Sequence, residues 1–139
     1  MGIFVRNCKE TDCERVLAYL QKNGLMLNQE DPLATVMWFN DNAIVCVIES
    51  EGNIVGAAIG RRHSVDDFSQ WTHDNNGDVL FVRELAADSH EVAYAIYRLF
   101  LKQCLENGYS LPNVIRFQRN DDKERKNRIF PIMQFFRKF

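Results

Sequence analysis

The chain has 139 residues, 46% of them apolar and 26% charged, with a formal net charge of −2. This is the composition of one soluble globular domain, residues 1–139, and it excludes a disordered or low-complexity chain. No run approaches the roughly 18 apolar residues that cross a bilayer, and the opening MGIFVRNCKE is too polar for a secretory leader, so a cytoplasmic protein without membrane contact is expected.

IFVRNC alternates as a first strand, and Thr11 or Asp12 supplies an N-cap for the helix that follows. In that helix Cys13, Val16, Leu17 and Leu20 fall on one face, and Asn23-Gly24 ends it. Leu25 to Asp31 reads as a loop. Pro32 opens a second short helix carrying Leu33, Val36, Met37 and Phe39, which Asp41-Asn42 breaks. The β-branched runs Ala43–Glu49 and Ile54–Arg61 flank Ser50-Glu51-Gly52-Asn53, a hairpin signal. Ser64 to Asp78 is a polar, acidic loop or hairpin tip with Phe68 and Trp71 embedded in it.

Val79–Ala86 is apolar on both faces and is expected at the centre of the sheet. A long amphipathic helix then runs from Glu91 to Asn107. Val92, Ile96, Leu99 and Phe100 make its buried face, extended by Ala93, Cys104 and Leu105, and Glu91, Arg98, Lys102 and Glu106 make the wet one. Val114–Gln118 is a fifth strand. A final helix is expected from Asp121-Asp122, with Ile129, Met133 and Phe136 at helical spacing and Pro131 kinking or restarting it.

Cys8, Cys13, Cys46 and Cys104 have no CxxC spacing and read as free thiols. A zinc site drawing on His63 or His73 has no supporting pattern, so no metal is expected. From Val114 onward there are eight Lys/Arg and three Asp/Glu, whereas Met1–Asn113 holds nine and sixteen. The basic end (Arg116, Arg119, Lys123, Arg125, Lys126 and Arg128, with Phe117 among them) is either a solvated face or a surface for an acidic partner. A pI near 5.9 and the lack of a recognised motif argue against nucleic acid.

A strand feeding a helix through the short turn Asp88-Ser89 is a common way to bind an anion, because the first helical N–H groups lack partners. The order strand, two helices, hairpin, strand, helix, strand, helix resembles the acyl-CoA-dependent N-acetyltransferases of the GNAT superfamily. The resemblance implies an α/β fold, a mixed central sheet flanked by helices. In that family a motif of Arg or Gln, two residues, Gly, one residue, then Gly or Ala cradles the coenzyme pyrophosphate. It falls here on His90-Glu91-Val92-Ala93-Tyr94-Ala95: Ala95 fits, Ala93 stands for Gly, and His90 stands for Arg or Gln. Acetyl-CoA as co-substrate is thereby implied, its pantetheine along the backbone of Leu85, Ala86 and Ala87 and its pyrophosphate at the amides of Val92, Ala93, Tyr94 and Ala95.

Alternatively, Asp88 and Glu91 form a capping pair and the helix start is an ordinary one. Glu84 is the candidate base for a small-molecule or protein amine acceptor, or else a carboxylate solvated at the sheet margin; Arg83 is expected on the opposite face. His90 is a lesser candidate, and His63 and His73 lie in the polar loop without a nucleophile nearby.

Two departures from the family stand at the end of the chain. Phe136 occupies the position of a Tyr that would protonate the departing thiolate, and the two strands that normally close the sheet are missing. The open fifth strand would then recruit a second chain, so a homodimer or protein partner is expected through Val114–Gln118 and the last helix. These departures keep a second function in view, a GNAT-like binding or assembly protein of the phage type that has lost the cofactor.

Overall fold

The computed structural model describes residues 2–5, 10–67, 69, 71–118 and 127–131. Its elements are β1 (Gly2–Val5), α1 (Glu10–Lys22), α2 (Pro32–Asn42), β2 (Ile44–Ser50), β3 (Asn53–His63), β4 (Val79–Ala87), α3 (His90–Glu106), β5 (Val114–Gln118) and β6 (Asn127–Pro131). The strands form one sheet in the order β1-β2-β3-β4-β5-β6. Every neighbouring pair is antiparallel except β4 and β5, which run parallel. α3 supplies the crossover that a parallel pair needs.

Local chemistry sets the element boundaries. Glu51 and Gly52 both adopt positive φ, 54° and 81°, so Ser50 and Asn53 pair directly across a two-residue turn whose twist matches the strands. Pro32 sits in the first turn of α2, where its missing N–H costs nothing. α1 begins at Glu10, ahead of the Thr11 or Asp12 cap expected from sequence. α3 is capped by Ser89, whose hydroxyl accepts from Val92 N at 3.2 Å. That corrects the expected Asp88–Glu91 capping pair.

The sheet's two faces are filled separately. Val45, Val47, Ala57, Ile59 and Ala86 meet Cys13, Val16, Leu20, Val36 and Phe39 of α1 and α2. On the other face Cys46, Ile48, Ala58, Leu80, Val82 and Ile115 meet Val92, Ile96, Tyr97, Phe100 and Cys104 of α3. Gly56 lets α3 approach: a Cβ there would stand 2.5 Å from Val92 Cγ1. Leu105, expected in the buried face, is 66% exposed, while its neighbour Cys104 takes the buried position in the last turn of α3. Cys13, Cys46 and Cys104 are free and buried, as read from the sequence; burial pushes the Cys46 thiol up to about 12. Cys8 and Phe68 lie outside the described residues.

The chain's end differs from expectation. Asn127–Pro131 is a strand, not part of a helix, and pairs along the whole of β5 from Val114↔Pro131 to Gln118↔Asn127. At least one of the two strands thought missing is therefore present, and the edge of β5 is covered within the chain. The premise of an open β5 edge recruiting a second chain is corrected accordingly. Met133, Phe135, Phe136 and Phe139 lie outside the described residues, as do Arg119, Lys123, Arg125 and Lys126. No helix among the described residues is long and apolar enough to cross a membrane.

Candidate active site

β4 carries an extra residue where it faces β3. Gly60 pairs with Val82 and Ile59 with Glu84, so Arg83 is the extra residue of a bulge. Bulges bend a strand and re-aim side chains. Here Arg83 and Glu84 both emerge on the α1/α2 face: Glu84 lies opposite inward-facing Ile59, and the Arg83 guanidinium lies over the rings of Phe39 (5.7 Å) and Trp71 (6.0 Å). The expectation that Arg83 takes the opposite face fails, because simple alternation does not survive a bulge. Gly60 permits the close approach: a Cβ there would meet the Phe81 carbonyl at 2.7 Å.

The bulge has a second effect. β4 pairs with β5 only through Val79–Val82, against Val114–Phe117. Leu85, Ala86 and Ala87 stay paired to Ala58, Ala57 and Gly56 of β3. β5 itself ends at Gln118, so β4 runs on past the parallel junction.

Glu84 is 5% exposed. With Arg83 it lines a cavity of about 470 Å³ whose other wall is the α1–α2 loop, Gly24 to Gln29. That volume is in the range of small-molecule sites. Met26 in this loop has φ 60°, a left-handed conformation costing a branched or long side chain about 1–2 kcal/mol, and Leu27 beside it is 61% exposed. Strain and exposed apolar surface together at a cavity mouth are features of ligand loops. Trp71 extends the polar loop onto α2, edge-on to Trp38 at 5.1 Å.

At the start of α3, His90 and Glu91 are exposed. Val92 N is held by the Ser89 hydroxyl and Ala93 N by the Ser89 carbonyl (3.1 Å). Tyr94 lies under the Arg98 guanidinium at 5.5 Å, and Ala95 packs beside Val92 and Ile96. Asp88 is turned away from the helix axis: its N–H donates to Val55 O (2.8 Å), and its carboxylate accepts from Tyr19 Oη (2.8 Å). Tyr19 Oη also lies 2.9 Å from Val55 O, and burial with the neighbouring carboxylate holds its hydroxyl protonated far above the ordinary phenol range. α1 is thus tied to the turn before α3.

Sequence reasoning missed a polar group on the same face as Glu84. Arg61 and Arg116 both lie over the Phe81 ring, with Cζ 5.9 and 4.1 Å from its centre. Phe81 pairs with both residues across the three strands β3, β4 and β5. Arg61 Nη1 donates to the carbonyl and hydroxyl of Thr72 (3.2 and 3.1 Å). Nε of Arg61, Nε of Arg116 and Nε2 of His63 are buried without hydrogen-bond partners. Burial lowers the pKa of all three groups, and the two guanidiniums repel each other. The available signal was Arg61-Arg62-His63 at the end of an apolar strand; His63 belongs to β3 rather than to the loop.

Arg62, on the opposite face, is 1% exposed and structural. Its guanidinium donates to the carbonyls of Gly77 (2.9 and 2.7 Å), Ser110 (2.6 Å) and Asn75. His73 accepts from Arg62 N through Nδ1 (3.0 Å) and meets Asn75 Oδ1 through Nε2 (2.9 Å). No group of three or more potential metal ligands occurs among the described residues.

A mixed sheet with one parallel junction, a bulge in β4 and α3 starting beyond that strand make a GNAT-like fold. Solved structures show the likeness directly. A diaminobutyrate acetyltransferase, EctA, from Paenibacillus lautus, in complex with L-2,4-diaminobutyric acid and coenzyme A, is similar over 85% of this chain and 66% of its own, at TM-score 0.55 and 22% identity. The GNAT-like decarboxylase GphF with isobutyryl-CoA matches 88% and 69% of the two chains (TM-score 0.59, 18% identity). The aminoglycoside N-acetyltransferase AAC(6')-Iy with coenzyme A matches 99% and 85% (TM-score 0.59, 16% identity). The chain thus spans just under two thirds of the first of these proteins. No family model and no curated protein sequence matches it. At these identities the likeness is one of fold.

Proposed function

We propose that this chain is an N-acyltransferase that takes an acyl group from acetyl-CoA and passes it to an amine. The observation that carries the reading is the bulge at Arg83, past the Val79–Val82 pairing of β4 with β5, at which Glu84 lines a cavity. Bound acetyl-CoA supplies the activated acyl group as a thioester. Backbone of Leu85, Ala86 and Ala87, beyond the β5 pairing, would form a notch for the pantetheine arm, and the turn into α3, with Val92, Ala93, Tyr94 and Ala95, would face the phosphates. Main-chain N–H groups at the bulge polarise the carbonyl under attack. Glu84 takes the proton from the amine, directly or through one water, as the nitrogen forms its bond to the acyl carbon and the carbon–sulfur bond breaks, its electron pair leaving with coenzyme A as the thiolate. The α1–α2 loop, Gly24 to Gln29, orients the acceptor from the other side of the cavity.

A second reading, a binding or assembly protein without catalysis, is favoured by one observation. The Val92 and Ala93 amides are already bonded to Ser89 within the helix start, and no glycine brings the backbone closer. Acetyl-CoA titration separates the two. As an acyltransferase the protein melts at higher temperature as acetyl-CoA rises, and Ala93→Glu or Ala95→Glu abolishes the shift without unfolding it. Absence of any shift at millimolar acetyl-CoA defeats the enzymatic reading.

A further inference from the structure

The donors left over on the α1/α2 face point to the chemistry of the acceptor. Arg61 and Arg116 each bury an Nε–H with no acceptor, and among the described residues neither is joined to a carboxylate by an ion pair. Asp67 is the acidic group that acts on Arg61, and its two oxygens are engaged by Ser69 N (2.9 Å) and Thr72 Oγ1 (2.7 Å). Buried guanidiniums are ordinarily paired, because an ion removed from water without a counter-charge is costly. Two of them over one phenyl ring, repelling each other, create a demand for negative charge.

We propose that Arg61 and Arg116, with Phe81 between them, seat an anionic group of the acceptor, so that the acceptor is an amine that also carries a carboxylate or phosphate. The open atom is Nε in both arginines, and an Nε–H beside an Nη–H is the side-on fork that two oxygens of one anion bridge. Arg61 and His63 are buried, but Phe81, Arg83 and Arg116 are only half-buried, so the strip is not sealed over. The apolar ring shields the pair from water and strengthens its attraction for an anion. Phe81 and Glu84 share a face because they lie opposite Arg61 and Ile59, two residues apart on β3, which sets the anionic group roughly 7 Å along the strand from the carboxylate that receives the amine proton. A terminal amine and an anionic group on a short flexible chain span that distance.

The proposal rests on the acyltransferase reading for the word acceptor, but the seat is testable without acyl-CoA. The full chain is melted with aminobutyrate, aminovalerate and aminocaproate, each with a terminal amine, with their uncharged carboxamides, and with aminoalkyl phosphates of matching length. The acids or the phosphates raise the melting temperature with concentration, the amides leave it unchanged, and whichever anion gives the larger shift identifies the headgroup. Arg116→Gln removes the response. Should that variant not fold, Arg116→Lys decides, since it keeps the charge and loses the fork: affinity falls about fivefold or more. Amides as effective as acids, or an unaltered response in the Arg116 variants, overturns the proposal. Binding of acetyl-CoA with no response to any anionic amine defeats the seat alone. A response to anions without acetyl-CoA binding defeats the enzymatic reading and leaves the seat.

Discussion

Deleting Arg83 alone tests whether the bulge makes the notch. Val82 remains opposite Gly60 and Glu84 opposite Ile59, so neither half of the β3–β4 ladder changes partners and every side chain from Glu84 onward keeps its face. What is lost is the kink. The Arg83 guanidinium also leaves the Phe39 and Trp71 rings, at about 0.5–1 kcal/mol each, a loss partly offset by the regular ladder, so the protein stays folded. Beyond the β5 pairing, one outward-directed residue between Leu85 and Ala87 offers a pantetheine chain its N–H and its C=O, two strand-type hydrogen bonds. At about 1–1.5 kcal/mol each, losing both weakens acetyl-CoA binding by roughly 30- to 150-fold. Calorimetric titration of parent and deletion variant, each checked for a cooperative melt, measures this directly. An affinity within threefold of the parent refutes the assignment of the notch to the bulge.

Glu84→Gln lowers turnover by about 100-fold or more while leaving coenzyme affinity nearly unchanged, read by single-substrate kinetics beside a binding titration. Equal turnover returns Glu84 to a structural role. Arg62→Leu strands the carbonyls of Asn75, Gly77 and Ser110, at about 1 kcal/mol or more for each acceptor, so urea unfolding reports a loss of about 3 kcal/mol or more. Stability also falls on acidification, because burial holds the pKa of both His63 and His73 below the ordinary value. The unfolded chain therefore takes up protons first, and stability drops as pH falls below about 6.5 toward the folded values. Urea midpoints across that window give the slope, and the His63→Gln/His73→Gln double variant flattens it.

Much of the scaffold was legible because its signals are local. The hairpin turn, the ends of α2 and the limits of β5 follow from Glu51-Gly52, Pro32 and a β-branched run, each acting within a few residues. The bulge was not legible, since it is a property of two strands: VLFVRELAA alternates well enough to hide an extra residue until Gly60 and Ile59 are set opposite it. β6 was misread because Asn127–Pro131 is short and Ile129 sits at helical spacing from Met133, so a period of four concealed a strand that only pairing to β5 defines. The cap went to Ser89 rather than Asp88 for a tertiary reason, the recruitment of Asp88 by Tyr19 from a distant helix. Glu84 was singled out from sequence as a charge in a strand, whereas Arg61 and Arg116 acquire meaning only when β3, β4 and β5 lie side by side.

The single parallel junction has a consequence for how the molecule assembles and breathes. β1 through β4 form an antiparallel meander in which the β2–β3 turn closes over two residues. β4 and β5 meet only after the whole of α3 has been laid down, and then through four residue pairs. Loop closure of that length adds to the folding barrier, and a short seam is among the first parts of a sheet to open. On the acyltransferase reading, a short seam therefore lies where a long, thin ligand has to enter. Amide exchange along Val79–Val82 on the β5 side should be faster than in the β2–β3 hairpin, and a ligand lodged beside the seam should slow it.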